Sequence, residues 1–148
     1  MENKCGECNL CCDIPEVKKI EKPAWSLCSN YDTKCKNCKI YELRPKECSG
    51  FQCAYIQMKK VNIALRPDKC GVMFERISIN IFYGSLYSTD KLSMIAENQI
   101  SMFNNQGFTV ILSSPKWKEP KIFLNIHHNK KQIIKEIKEW QLQHTKQI

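Results

Sequence analysis

Histidine is missing from the first 70 residues, and cysteine is missing from everything after Cys70. The first absence excludes a Cys₂His₂ finger in the front half: a metal site there is all-thiolate, or is completed by Asp, water or a ligand. Glycine and proline are sparse, with 5 and 6 residues, so neither a collagen-like repeat nor a low-complexity chain is indicated. No stretch approaches the roughly 20 apolar residues of a membrane span. The opening residues MENKCGECNL have no apolar core, so they do not read as a secretory signal. The expected location is therefore the cytoplasm, where structural disulfides are rare. There is no paired-carboxylate signature, no Ser/His/Asp ordering, and no GxGxxG or Walker loop. Whether the chain is an enzyme stays open. If it is one, its chemistry belongs to a bound metal centre.

The net charge of +8 resembles a nucleic-acid signal, but its distribution argues against that partner. Each half carries a net +4, and no basic tail exists. A nucleic-acid footprint needs clustering on one face. The lysines of the front half read instead as compensation for bound thiolate charge. No membrane partner is expected, and the sequence names no protein partner.

What the chain does have is ten cysteines, all within residues 1–70. Eight fall in tight groups: CGECNLCC supplies Cys5, Cys8, Cys11 and Cys12, CKNC supplies Cys35 and Cys38, and CSGFQC supplies Cys48 and Cys53. Soft sulfur ligands at two- to four-residue intervals are how a chain holds zinc or an iron–sulfur cluster. Side chains of adjacent residues diverge. Of the vicinal pair Cys11-Cys12, one thiol can therefore face a metal while the other faces a second site, a substrate or nothing. Apolar residues are thin between these cysteines, so this half needs a staple, and metal is the expected one.

Regular periodicity begins after Cys70-Gly71. Ile77, Ile79, Ile81 and Tyr83 alternate with Ser78, Asn80 and Phe82, a period of two as in a half-buried strand. Ser88, Thr89 and Asp90 offer helix caps. Leu92, Ile95, Ala96, Ile100 and Phe103 follow at helical spacing, and Gly107 lies past the helix end. Phe108–Leu112 and Ile122–Ile126 read as two strands of a long-looped hairpin. Asn129 is a candidate cap for a last helix with Ile133, Ile134, Ile137 and Trp140 on one face. The expected fold class is α+β in the order β-α-β-β-α: a small, mostly antiparallel sheet covered on one face by two helices. Residues 1–74 would form an irregular metal-stapled region and residues 75–148 the α+β subdomain, the two packed as one compact unit. His127 and His128 read as a loop pair before the last helix.

The combined pattern resembles a known family. CGECNLCC, then Trp25 and Cys28, then CKIYELRPKECSGFQC, is similar to the CxxCxxCC zinc- or iron-chelating domain family, also called YkgJ-type cysteine-cluster proteins. The matching positions in the second segment are Cys38, Ile40, Tyr41, Arg44, Pro45, Cys48, Phe51 and Cys53. RPDKCGVMF, from Arg66 to Phe74, resembles a further segment of one bacterial branch. The likeness is dense over residues 5–74 and looser beyond. It implies zinc or an iron–sulfur centre as cofactor, mostly without an assigned reaction. The ligand candidates it implies are Cys5, Cys8, Cys11, Cys12, Cys28, Cys38, Cys48 and Cys53. Cys35 completes a C-x-x-C pair with Cys38 and is balanced between a ligand and a surface thiol. Cys70 reads as a small buried apolar residue. Arg44 and Tyr41 are the residues expected to contact the bound group around its ligands. For Arg44 the competing reading is simple punctuation with Pro45, and for Tyr41 a packed aromatic. Trp25 is expected to shield the cluster from water. Zinc is preferred for a segment this crowded with thiols. Two rival functions stand beside metal binding: a zinc-ribbon-like module for nucleic acid or protein, and a redox-responsive thiol protein built on Cys11-Cys12.

Overall fold

The computed structural model describes residues 4, 6–59, 61–87 and 91–145. Its class is α+β, with a small mixed sheet and five α-helices among the described residues. The front half is a series of short turns. β1 (Tyr31–Asp32) and β2 (Asn37–Cys38) form a minimal hairpin. α1 (Lys46–Ser49), α2 (Ala54–Gln57) and α3 (Pro67–Cys70) are single-turn helices. Pro67 occupies the first turn of α3, where its missing N–H costs nothing, and Gly71 ends the helix at φ 81°.

The second half contains β3 (Val72–Arg76), β4 (Ile81–Leu86), α4 (Met94–Asn105), β5 (Thr109–Ser113), β6 (Lys121–Phe123) and α5 (Lys130–Thr145). The sheet order is β3-β4-β5-β6. The outer pairings are antiparallel, and the central β4–β5 pairing is parallel because α4 crosses over between them. The order is thus β-β-α-β-β-α, with one strand more than the periodicity predicts. β3 was hidden because Val72-Met73-Phe74 is a continuous buried run rather than an alternation. The predicted strand over 77–83 is displaced. Ile79 is 78% exposed in the β3–β4 connection, and pairing resumes only at Ile81.

The two long helices cover opposite faces of the sheet, not one. Phe74, Phe82, Val110 and Leu112 share a face with Ala96, Ile100 and Phe103 of α4. Ile81 and Ile111 point the other way, onto Ile133 and Ile137 of α5. Strand alternation makes this unavoidable, since Ile81 and Phe82 are neighbours in β4. Beside α5, Met73 packs with Leu10 and Ile14 from the cysteine-bearing segment. The candidate caps Ser88, Thr89 and Asp90 lie outside the described residues. In the described helix, Ser93 caps α4: its Oγ accepts from Ala96 N at 3.1 Å and donates to Cys70 O at 2.6 Å. Gly107 follows the helix at φ 94°, as its spacing suggests. Asn129 accepts from Lys131 N at 2.9 Å at the start of α5.

Two features carry predictions. A methyl group at Gly84 would lie 2.5 Å from Leu112 Cδ2 and 2.8 Å from Phe74 Cε1. Gly84→Ala should cost about 1–3 kcal/mol by overpacking, read as a lower urea midpoint at unchanged slope. The β3–β4 connection is pinned to α5 by Glu136, which accepts from Ser78 Oγ at 2.7 Å and Asn80 Nδ2 at 3.0 Å. Burial opposes the charge of Glu136, but these donors outweigh it and hold the carboxyl below its ordinary range. A depressed folded pKa contributes stability above the unfolded value, about 4.3, and that contribution is lost as pH falls through the folded value. Glu136→Gln should therefore flatten the loss of stability below about pH 4. Denaturant titrations at several acidic pH values check this. A slope identical to that of the native protein would contradict it.

Candidate metal centre

The first cysteine turn is fixed by two apolar anchors. Leu10 and Ile14 are buried against Met73 of β3, and a short 3₁₀ turn over Leu10–Cys12 closes through Cys12 N to Asn9 O at 2.7 Å. The chain then returns alongside itself. Trp25 N donates to Ile14 O at 2.9 Å, Ser26 N to Asp13 O at 3.0 Å, and Cys28 N to Cys12 O at 2.9 Å. This ladder sets Cys28 beside Cys12. The β1–β2 hairpin follows immediately and pairs Tyr31 with Cys38. Pro45 opens α1, which carries Cys48.

These elements bring Cys8, Cys11, Cys12, Cys28, Cys38 and Cys48 to the wall of one concavity of about 360 Å³. Their thiols influence one another. Cys48 is raised first by burial and then by the neighbouring Cys28, Cys11 and Cys38. Burial pushes Cys8 up to about 11. Cys11 and Cys12 share a hydrogen bond, which lifts Cys11 as donor and lowers Cys12 as acceptor, against the burial that also acts on Cys12. One proton between two adjacent sulfurs leaves Cys12 the more readily ionised.

The remaining predicted ligands are placed differently. Cys53 packs with Phe51 and Trp25 against the Leu10–Ile14–Met73 cluster, beside Cys8 rather than on the concavity wall. Cys35 is exposed in the β1–β2 connection, where its backbone N–H donates to Asp32 Oδ1 at 3.1 Å. Cys70 is 1% exposed, with Sγ 3.2 Å from Val72 O, as a small core residue should be. Cys5 lies outside the described residues. His128 is tied to Thr109, Nδ1 to Oγ1 at 2.9 Å, in the loop before α5. Trp25, like Cys8 and Cys53, packs against the Leu10–Ile14–Met73 cluster, and its Nε1 donates to Leu86 O at 2.8 Å. It thereby ties the cysteine segment to the sheet.

Two cations belong to the same wall. Lys22 is 5% exposed, and its ammonium donates to the carbonyls of Asp13 (2.7 Å), Pro15 (2.6 Å) and Pro23 (3.0 Å). All three of its donors are used. Burial lowers its pKa, while Asp13 and the thiols of Cys28, Cys12 and Cys48 pull against that. Sequence reasoning missed Lys22, because a lysine between Glu21 and Pro23 looks like an ordinary solvated charge. Its burial follows from the Val17–Lys22 bridge, which no local pattern announces. Arg44 also lines the concavity. Its Cζ sits 3.7 Å from the centroid of the Tyr41 ring, and its buried Nε has no hydrogen-bond partner among the described residues.

Among the described residues, no group of three or more Cys, His, Asp or Glu side chains is arranged to hold a metal ion. The donor set nonetheless fits one chemically: several soft thiols face one concavity, next to a buried ammonium and a guanidinium that offset thiolate charge. No described helix is long and apolar enough to cross a membrane. In comparisons with known proteins, no family model, no curated protein and no solved structure matches the chain.

Proposed function

We propose that the thiol-lined concavity is a metal-binding site that holds zinc or an iron–sulfur centre through cysteine thiolates. The observation that carries this reading is that Cys8, Cys11, Cys12, Cys28, Cys38 and Cys48, drawn from four separate segments, line a single concavity. Thiols placed merely for packing would distribute through a core, as Cys70 does. The likeness of residues 5–74 to the CxxCxxCC chelating family supports the same chemistry. The front half is built of single-turn helices and two-residue strands, a fold that gains most from a metal drawing its segments together. Zinc in a closed four-thiolate shell would act structurally or in metal handling. An iron–sulfur centre would make electron transfer available, tuned by the adjacent cations. Zinc is the preferred cargo.

The test is anaerobic purification of the full chain followed by metal and acid-labile sulfide analysis with a visible spectrum. Stoichiometric zinc in a colourless protein supports the preferred form. A brown protein with bound iron and sulfide selects the iron–sulfur form. A chain that binds neither, even after reconstitution, would falsify the reading. It would also promote the redox-thiol alternative, which the lowered Cys12 beside its proton-sharing neighbour favours.

A further inference from the structure

The concavity is far larger than an ion requires. Its volume of about 360 Å³ lies in the range of small-molecule sites, roughly 300–1,000 Å³. Part of its wall is apolar, formed by Pro15, Val17, Ile20, Ile40 and Phe51. The two cations beside it are not equivalent. Lys22 has spent all its donors on backbone carbonyls, so it supplies field and no contact. Arg44 has spent none of its side-chain donors on a described residue. Its flat face is occupied by Tyr41 at 3.7 Å, and its buried Nε is unpartnered among the described residues. Stacking fixes the guanidinium plane and leaves its in-plane edge of N–H donors free. A buried donor without an acceptor is costly enough to demand one. A planar, two-oxygen anion matches that edge with two parallel hydrogen bonds.

We infer that the concavity also takes a small organic carboxylate, its head group held by Arg44 and its body lying along the apolar wall next to the thiols. This deepens the metal-site reading and rests on it: the carboxylate would sit beside the bound metal, where soft ligands and a substrate-sized space adjoin. Arg44 here is a specificity-determining residue, since a neutral isostere of the ligand would leave its donors unpaired.

Benzoate is a suitable probe, with benzamide as its neutral counterpart, titrated calorimetrically into the full chain as purified anaerobically, with metal content measured on the same sample. Benzoate should bind saturably and benzamide should not. Arg44→Lys keeps the charge but loses the fork. Compared at equal metal content, it should weaken benzoate by roughly tenfold or more, the loss of one charge-assisted hydrogen bond. Metal-replete protein that ignores benzoate, or an Arg44→Lys variant that binds it equally well, overturns the carboxylate site and leaves the metal reading intact. Benzoate binding that persists in protein shown to hold no metal supports the carboxylate site and removes the metal reading instead.

Discussion

Cys48→Ser, and separately Cys8→Ser, should each lower the metal bound per chain and loosen the front half. A hydroxyl is a poor replacement for a thiolate on a soft metal, and a four-ligand shell reduced to three binds far more weakly. Structural zinc contributes about 10–16 kcal/mol in peptides that fold around it, so losing even part of that exceeds what any apolar contact in this region supplies. The two variants probe different segments of the wall: Cys8 precedes the Leu10–Cys12 turn, and Cys48 lies on α1. Cys70→Ala and Cys35→Ser are the controls. Cys70 lies in the sheet core and Cys35 on an exposed turn, and neither lines the concavity. Both controls should keep their metal. Elemental analysis with limited proteolysis of the front half is the measurement. Full metal content and native protease resistance in both Cys48→Ser and Cys8→Ser would refute the assignment.

Phe103→Ala should destabilise the whole chain by about 3–5 kcal/mol, a large share of a typical domain's total. Phe103 is 1% exposed on α4. It stacks on Phe82 with centroids 4.0 Å apart and meets Phe74 edge-on at 5.3 Å. Its loss would break two aromatic pairs and leave a void under α4, beside buried Gln99, whose amide has no hydrogen-bond partner among the described residues. α4 also holds β4 and β5 in their parallel pairing, so the damage should spread through the sheet. A urea titration followed by circular dichroism checks this. Metal content should fall little at moderate temperature, because the thiol wall is built from residues 8–48. A midpoint shift corresponding to less than about 1 kcal/mol would show that this core relaxes around the gap.

Much of the second half was legible from pattern. The buried stripe of Ala96, Ile100 and Phe103 and the last helix follow the helical period. The apolar run expected over Phe108–Leu112 forms β5 one residue later at Thr109–Ser113. The return strand expected over Ile122–Ile126 pairs instead at Lys121–Phe123, leaving Ile126 exposed. Where the reading slipped, a non-local contact had won. Ile77 and Ile79 alternate like a strand, yet Glu136 from α5 secures Ser78 and Asn80 in a turn. Ile95 fits the helical stripe but is 37% exposed, while Gln99 is buried in its place.

By itself, the sequence determined the character of the front half. Ten cysteines in a segment without histidine mean that any metal site there is all-thiolate or is completed by Asp, water or a ligand, because ligand type is a property of residues and needs no coordinates. It also determined the α+β class, since hydrophobic periods belong to single elements. The tertiary structure decided which thiols share a wall, that Lys22 is buried among carbonyls with its charge toward them, that Arg44 Nε is buried with no partner among the described residues, and that α4 and α5 take opposite faces of the sheet. Each of these depends on where segments far apart in the chain meet, and spacing along the chain carries no record of that.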